Sequence, residues 1–532
     1  MLKNKFLLSL LSAILLIAAW PPLPTAFLLF VAFVPLLFAY EQLKESKRRH
    51  LKFFAFTYLT LFLFNTGTTW WVWNASPSGS IIMLFANSLI MSLPFWTFSI
   101  TAKHLKKLAY PALVFFYTAF EYFHFNWTAS WPWLTLGKGL ASMPRFIQWY
   151  EYTGELGGTV LILAVNILVF KALLNNKPLR LWQPASVILG MHVLSLLVSF
   201  NYSLYYKMME PKMQGKTNCI IVQPNIDPYQ EKFSDGANYM PPDVQLQKGI
   251  DEALPLIDEH TDLIVFPETA VTGWNEEKRI NEMYIMQPLL RLTDSGQIAI
   301  LTGAETVGIY RNNANERPSI TARFDESAQM WWDSYNTSML IKNGKVDSLY
   351  HKSKLVPGVE KMPFPFLESL SIDLGGASGS LGESDRPINF IVNDKVKIAP
   401  LVCYESVFGD YTCDFVKDGA NALAVITNDG WWGETPGYRQ HLMYGAIRCI
   451  ETRREMLRSA NTGVSAKINM LGEVTQSLGY KKRGAFRCTL ITNNVETFYV
   501  RFGNVIGVVA SVLTVLLIVA AVVLRLSVAK KG

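Results

Sequence analysis

The apolar residues of this chain are not spread evenly along it. They crowd into residues 1–206 and 503–525, while the stretch between has the mixed composition of a water-facing domain. A membrane crossing needs about 20 predominantly apolar residues. Eight stretches are candidates, near 6–19, 25–40, 52–73, 80–101, 108–125, 157–174, 183–203 and 503–525. The first two are short and are joined by Pro21-Pro22-Leu23-Pro24, which reads as a tight helical hairpin, either spanning or re-entrant. The expected organisation is a multi-pass α-helical membrane domain over 1–203, a water-facing domain over 204–502, and a last span with a short tail over 503–532.

Charge placement sets the orientation. Lys3 and Lys5, the run Lys44 to Lys52, Lys103 to Lys107, Lys171 to Arg180 and finally Arg525, Lys530 and Lys531 fall on one side, sixteen basic residues in all. The opposite short loops hold Lys138 and Arg145. Basic loops stay cytoplasmic, so both termini are expected inside and the 204–502 domain outside, in the periplasm where a cell has two membranes. The net charge of +7 is spent on this asymmetry and does not point to a nucleic-acid partner. Lys3, Lys5 and the apolar run after them also resemble a signal peptide, but Trp20-Pro21-Pro22 is a poor cleavage site. Five scattered cysteines without a C-x-x-C, and seven histidines without H-x-x-x-H, suggest no disulfide scaffold and no metal site.

Within the apolar part, Glu121 lies in an aromatic run. It is either a functional group or a side chain that meets water at the interface. The loop Trp127–Gly139 carries three tryptophans, which suit a headgroup-level aromatic belt or a lip that guides a lipid chain.

In the water-facing part, Cys219–Pro224, Asp262–Phe266, Gln297–Thr302, Lys397–Val402 and Ala422–Thr427 read as buried strands. Pro241–Leu256 and His441–Arg454 read as helices. Tyr335–Leu340 and Val346–Tyr350 flank Asn343-Gly344, a hairpin signal. Continuous apolar strands alternating with helices make an α/β domain. Three of the strands run into reactive groups: the first into Pro267-Glu268, the hairpin into Tyr350-His351-Lys352, and the next into Cys403-Tyr404-Glu405. Strand ends are where α/β proteins build sites. A thiol to attack a carbonyl, a carboxylate to take its proton and a lysine to hold the oxyanion form a nucleophile set. Taken singly, each has a bland reading as a buried thiol or a solvated charge.

The ordered set D-L-I-V-F-P-E, Y-x-K-x-x-L-V-P, L-V-C-Y-E-S and T-N-D-G-W-W-G resembles the nitrilase superfamily. With the flanking spans and the W-P-W-L-T-L-G loop, nearly the whole chain resembles its membrane-bound branch, the apolipoprotein N-acyltransferase family. That resemblance implies a nitrilase-like α-β-β-α sandwich. It also implies transfer of an acyl chain from a phospholipid to the N-terminal diacylglyceryl-cysteine of an apolipoprotein, through a Cys thioester and without a cofactor. The location it implies is the bacterial inner membrane, with the catalytic domain on the periplasmic side.

By the same resemblance Glu268 matches the general base, Lys352 the oxyanion lysine and Cys403 the nucleophile. Glu360 matches a second pocket glutamate. Tyr404 and Glu405 match the pair after the nucleophile, the Tyr404 N–H being a candidate oxyanion donor, and Phe233 falls where the family often has Trp near the acyl groove. Trp431 is a candidate pocket wall. The family's L-V-P-F-G-E reads Leu355-Val356-Pro357-Gly358-Val359-Glu360 here, so the path of that loop is open. Lys354 is the rival to Lys352. His441 reads as structural, and Arg453, Arg454 and Arg458 as a solvated helix face or a lipid-headgroup contact. Cys219, Cys413, Cys449 and Cys488 read as buried thiols, among which a disulfide is possible. Two other classes fit less well: a membrane-tethered amidase that passes the thioester to water, and a transporter or receptor whose outer domain only binds.

Overall fold

The computed structural model describes residues 4–209, 216–233, 236–311, 316–362, 364 and 380–529. Lys3, Lys530 and Lys531 of the orientation argument lie outside these. The backbone forms two compact units. One comprises 1–73, 77–204 and 502–532, the other 74–76 and 205–501.

The long helices of the first unit are Lys5–Ala19, Val34–Leu43, Arg49–Thr69, Pro77–Leu105, Ala109–Phe125, Tyr150–Leu174, Trp182–Met209 (which runs on past the unit's limit at 204) and Val505–Ala529, so each expected span is helical in whole or part. Among the described residues five stretches are long and apolar enough to cross a membrane: Ala26–Leu43, Pro77–Phe125, Tyr150–Leu174, Pro178–Leu204 and Val505–Ser527. The second of these holds two successive helices. The last helix packs along Ala109–Phe125 and Pro77–Leu105. Gly507 permits the approach, since a Cβ there would stand 2.4 Å from the Tyr122 ring.

Residues 132–146 of this unit run through three short 3₁₀ turns rather than a helix. Irregular backbone in an apolar setting must find internal partners, and two ionisable side chains supply them. Glu121, buried, accepts from the Leu136 N–H at 2.7 Å and from Thr159 Oγ1. Lys138 Nζ donates to Pro132 O at 2.6 Å and pairs with Glu155 at 3.2 Å. Glu121 therefore does not meet water at an interface; it anchors the turns. Lys138, counted above among the opposite loops, is fully buried. Trp133 is also corrected, being buried between Trp71 and Trp131 inside the unit rather than in a belt or lip.

The second unit is two sheets back to back with helices outside. The first sheet contains β1 (Lys216–Gln223), β2 (Leu263–Val265), β3 (Ala299–Tyr310), β4 (Arg323–Asp325), β5 (Met330–Lys342), β6 (Lys345–His351) and β13 (Gly484–Ile491), ordered β13-β1-β2-β3-β5-β4 with β6 also on β5. The second contains β7 (Phe390–Asn393), β8 (Val396–Val402), β9 (Ala422–Thr427), β10 (Met456–Ala460), β11 (Ser465–Ile468) and β12 (Val474–Leu478), in the order β12-β11-β10-β9-β8-β7. The central strands β1-β2-β3 and β8-β9-β10 are parallel, which explains their unbroken apolar runs. Helices Pro242–Ala253 and Gln287–Thr293 cover the first sheet, packing Leu246, Ile250, Leu289 and Leu290 onto Ile220, Ile264 and Ile300. Gly409–Lys417 and Pro436–Thr452 cover the second. This is the expected α-β-β-α sandwich.

β3 runs eight residues beyond the expected Thr302, because every residue from Ile300 to Tyr310 finds a partner in β5. The hairpin turns at Asn343 and Gly344, both with positive φ (52° and 68°), as a type I′ turn requires. The helix placed at His441 starts at Pro436. Thr435 caps it, accepting from the Gly437 N–H, and Pro436 takes the first helical position.

Candidate active site

Three strand ends bring the expected groups together. β2 stops at Val265, and Phe266-Pro267 lead to Glu268. Strand β3 passes beneath at Gly303, where a Cβ would stand 2.6 Å from Glu268 Cα and 2.5 Å from Thr269 N. Only glycine lets the backbone come this close. β6 delivers Lys352, whose N–H is held by Asn336 O at 2.8 Å. β8 delivers Cys403, whose φ of 48° puts a non-glycine residue in the left-handed region. Thr269, directly after Glu268, is left-handed too, at 47°. Backbone strain sits on both sides of the pocket.

The three expected groups converge. Lys352 Nζ lies 2.7 Å from Glu360 Oε1 and 3.4 Å from Glu268 Oε1. Both carboxylates share the Asn336 side-chain amide, at 2.8 Å to Glu268 and 3.1 Å to Glu360. Asn428 N–H donates to Glu268 Oε2 at 3.0 Å, and Val356 N–H to Glu360 Oε2 at 2.8 Å. Despite the Gly-Val exchange, then, the 355–360 loop still delivers its glutamate. All of these side chains are buried. Burial opposes the charge on Lys352, but Glu360 and Glu268 override it and hold the ammonium well above its usual range. Burial pushes the Cys403 thiol up, Glu268 pushes it further, and Lys352 and the Thr427 hydroxyl pull it back. The resting group is therefore a thiol, and Glu268 and Lys352 are charged neighbours whose fields reach it. Lys354 points elsewhere, over the Phe408 and Tyr411 rings at 5.6 and 5.0 Å.

Around this centre, Glu405 is buried and accepts from Tyr350 OH, Ser353 N–H and Val402 N–H at 2.5, 2.7 and 2.8 Å. It ties the lysine-bearing segment to the cysteine-bearing turn. Tyr404 is buried with its ring edge on Phe408. Phe233 stacks on Trp431 at 5.7 Å, and Tyr229 meets Trp431 edge-on at 5.3 Å, so these form one aromatic cluster.

Several residues were missed or misjudged from the sequence. Asn336, which bridges the two glutamates, sits in a polar stretch of β5 that gives no local signal. Lys232 is buried, donates to Thr269 Oγ1 at 2.6 Å, and burial pushes its pKa down to about 8. Arg453, Arg454 and Arg458 are neither solvated nor available to headgroups; all are buried. Arg453 and Arg454 satisfy the carbonyls of Met470, Ala420 and Val495. Arg458, on β10, donates to Asp429 Oδ2 at 2.6 Å. Burial pushes Asp429 up, but Arg458 and His441 hold it below the ordinary carboxylate range. His441 touches Asp429, Ser406 and the Cys403 carbonyl, and burial together with Arg458 pushes its imidazole down. The other four cysteines are buried free thiols. Cys219 and Cys488 face each other across β1 and β13. Among the described residues no group of three or more His, Cys, Asp or Glu side chains could hold a metal ion.

Residues 12–168 match the family described as apolipoprotein N-acyltransferase N-terminal domain, and residues 235–496 match carbon-nitrogen hydrolase. An apolipoprotein N-acyltransferase of Chlorobaculum tepidum is 29% identical over 98% of this chain and 97% of its own. The protein of that name from Thermotoga maritima is 26% identical over 93% and 90%. Among solved structures, an amidase from Nesterenkonia sp. is 16% identical over 54% of this chain and 93% of its own, with a TM-score of 0.35, a likeness too loose to carry an argument.

Proposed function

The chain belongs to the apolipoprotein N-acyltransferase family, and from that premise we propose that it N-acylates lipoproteins with a chain taken from a phospholipid, through a thioester on Cys403. Glu268 takes the thiol proton as Sγ attacks the ester carbonyl. Lys352 Nζ and the Tyr404 N–H share the oxyanion, and Glu360 keeps Lys352 charged and in place. Collapse breaks the ester C–O bond, and the leaving lysophospholipid oxygen takes the proton back from Glu268. The diacylglyceryl-cysteine amine then attacks the thioester and gives its proton to Glu268. The Cys403 thiolate leaves and is reprotonated.

Two amphiphilic substrates used in turn suit a covalent relay. Exposing an acyl chain of about 16 carbons to water would cost on the order of 10 kcal/mol at about 0.8 kcal/mol per CH₂, which favours a site next to a bilayer and the Phe233–Trp431 cluster as part of the acyl path. The positive-inside bias supports a catalytic domain on the periplasmic face of the inner membrane.

One observation carries the reading most: a left-handed cysteine at a strand end, with Lys352 held between Glu268 and Glu360 beside it. The test is intact mass after incubation with phospholipid vesicles. The native protein is expected to gain one acyl chain, lost to hydroxylamine, and Cys403→Ala to gain none. An acyl adduct that persists in Cys403→Ala refutes the assignment. Discharge of the adduct to water with no transfer to a lipidated cysteinyl peptide favours a membrane-tethered amidase instead.

A further inference from the structure

We propose that His441 and Ser406 are positioning residues that act on the transferring acyl group through the peptide link between Cys403 and Tyr404. Both converge on one carbonyl oxygen. Ser406 Oγ stands 2.8 Å from Cys403 O, and His441 Nε2 stands 3.0 Å from it. A carbonyl oxygen only accepts, so we assign the ring proton to Nε2; Ser406 Oγ, 2.9 Å from the same Nε2, accepts from it while giving its own proton to Cys403 O, and Nδ1 is left to accept from Arg458. The ring is fixed from its far side. Nδ1 lies 2.9 Å from Asp429 Oδ1 and 3.1 Å from Arg458 Nη2. Ser406, Asp429, His441 and Arg458 are all buried without measurable exposure, so this is a built and rigid feature.

A trans peptide is planar, and its N–H points opposite to its C=O. With the Cys403 carbonyl turned toward Ser406 and His441, the Tyr404 N–H is turned away from them. Two donors on the carbonyl draw electron density from the amide and make that N–H a stronger donor. The inference rests on the reading above, in which this N–H shares the oxyanion. Hydrogen bonding at one end of such a chain strengthens the next bond by roughly 10–30%. One oxyanion donor is worth about 10²–10³ in rate. That share of two to three powers of ten is about 2–8-fold, and it applies to every step that passes through a tetrahedral oxyanion, in both half-reactions.

A group that merely holds the cysteine-bearing turn in shape would move the thiol itself. Alkylation of Cys403 by iodoacetamide separates the two roles, because that displacement forms no oxyanion. The experiment uses the full-length protein with phospholipid and a lipidated cysteinyl peptide. It measures thioester formation, thioester discharge and the alkylation rate of Cys403 for Ser406→Ala, His441→Leu and His441→Gln. In Ser406→Ala, which keeps the packing, and in His441→Leu, formation and discharge should both fall by about 2–8-fold while alkylation stays near native. His441→Gln, whose amide N–H can reach the same carbonyl, should recover most of the loss. Alkylation falling in step with transfer, or transfer unchanged in Ser406→Ala and equally slow in both His441 variants, overturns the proposal. A native protein that forms no thioester on Cys403 is a failure of the proposed function, seen before any variant is compared.

Discussion

Replacing Glu268 by Gln should make Cys403 more acidic and yet less able to react with an ester. Glu268 is, after burial itself, the main influence holding the thiol up. Deleting the carboxylate charge removes that push, so the thiol pKa should fall. The amide also inherits an awkward setting, because Asn336 and Asn428 N–H both aim donors at that position and Gln offers one acceptor oxygen in place of two. Against the gain in acidity stands the loss of a base, worth about 10²–10⁴ in rate. The loss wins. An ordinary cysteine is only a few per cent thiolate at pH 7, and this one remains a minor thiolate species in the variant, because burial, the largest influence raising it, is still there. Iodoacetamide alkylation of Cys403 across pH should therefore show its midpoint moved down in Glu268→Gln, while thioester formation from phospholipid at pH 7 falls by at least about 10²-fold. If the midpoint rises or stays in place, Glu268 is not the charge facing the thiol. If thioester still accumulates at the native rate, the base is misassigned and Glu360 takes its place.

Removing Arg458 as Arg458→Met leaves Asp429 charged, buried and without its 2.6 Å partner; a loss of about 3–5 kcal/mol should appear as a lowered midpoint in thermal or denaturant unfolding in detergent. Lys232 titrates near 8 in the folded protein against about 10.4 unfolded. The unfolded chain therefore binds the extra proton between those values, and native stability relative to Lys232→Met should rise by about 2.5 kcal/mol from pH 8 to 10.4, a flat difference there being the contrary result. A cysteine tag at Asn343 should be labelled from outside intact cells and one at Lys47 only from inside; labelling of Asn343 from the cytoplasm would put the active site on the wrong side of its substrates.

The main features of the fold and the centre of the site could be read in advance for a common physical reason. Parallel strands buried on both faces must be apolar throughout, so β1, β2, β8 and β9 stand out, and the polar residue that ends each run is conspicuous. Glu268 and Cys403 were visible in that way, whereas Lys352, which follows the half-exposed antiparallel β6, was visible by its place in the ordered Y-x-K-x-x-L-V-P stretch after the hairpin. Asn336 and His441 were not, because a polar side chain within a strand or helix gains its meaning from partners far along the chain: Asn336 meets Glu268 and Glu360, and His441 meets Cys403. Arg458 was misread for a related reason. A charged side chain in a polar stretch looks solvated until the carboxylate that neutralises it is brought in from another element. The length of β3 was hidden because Gly303, Glu305 and Gly308 dilute its pattern, and its pairing with β5 overrides that local weakness.

The helix Val505–Ala529 completes the first unit against Ala109–Phe125 and Pro77–Leu105, yet roughly 300 residues separate it from the end of Trp182–Met209. At about 5–20 residues per second a ribosome takes on the order of 15–60 s to reach it. For that interval the helices already inserted keep an open seam where Tyr122 awaits Gly507, while the second unit emerges and folds. β1 is made at the start of this interval and must wait for β13 near its end, since the two pair from Lys216↔Ile491 to Gln223↔Gly484. Zipping β13 onto β1 and closing the seam thus fall within moments of each other. A chain stalled or cut before residue 484 should present both an unpaired strand edge and an unsealed helix bundle, two independent marks by which quality control can recognise an unfinished molecule.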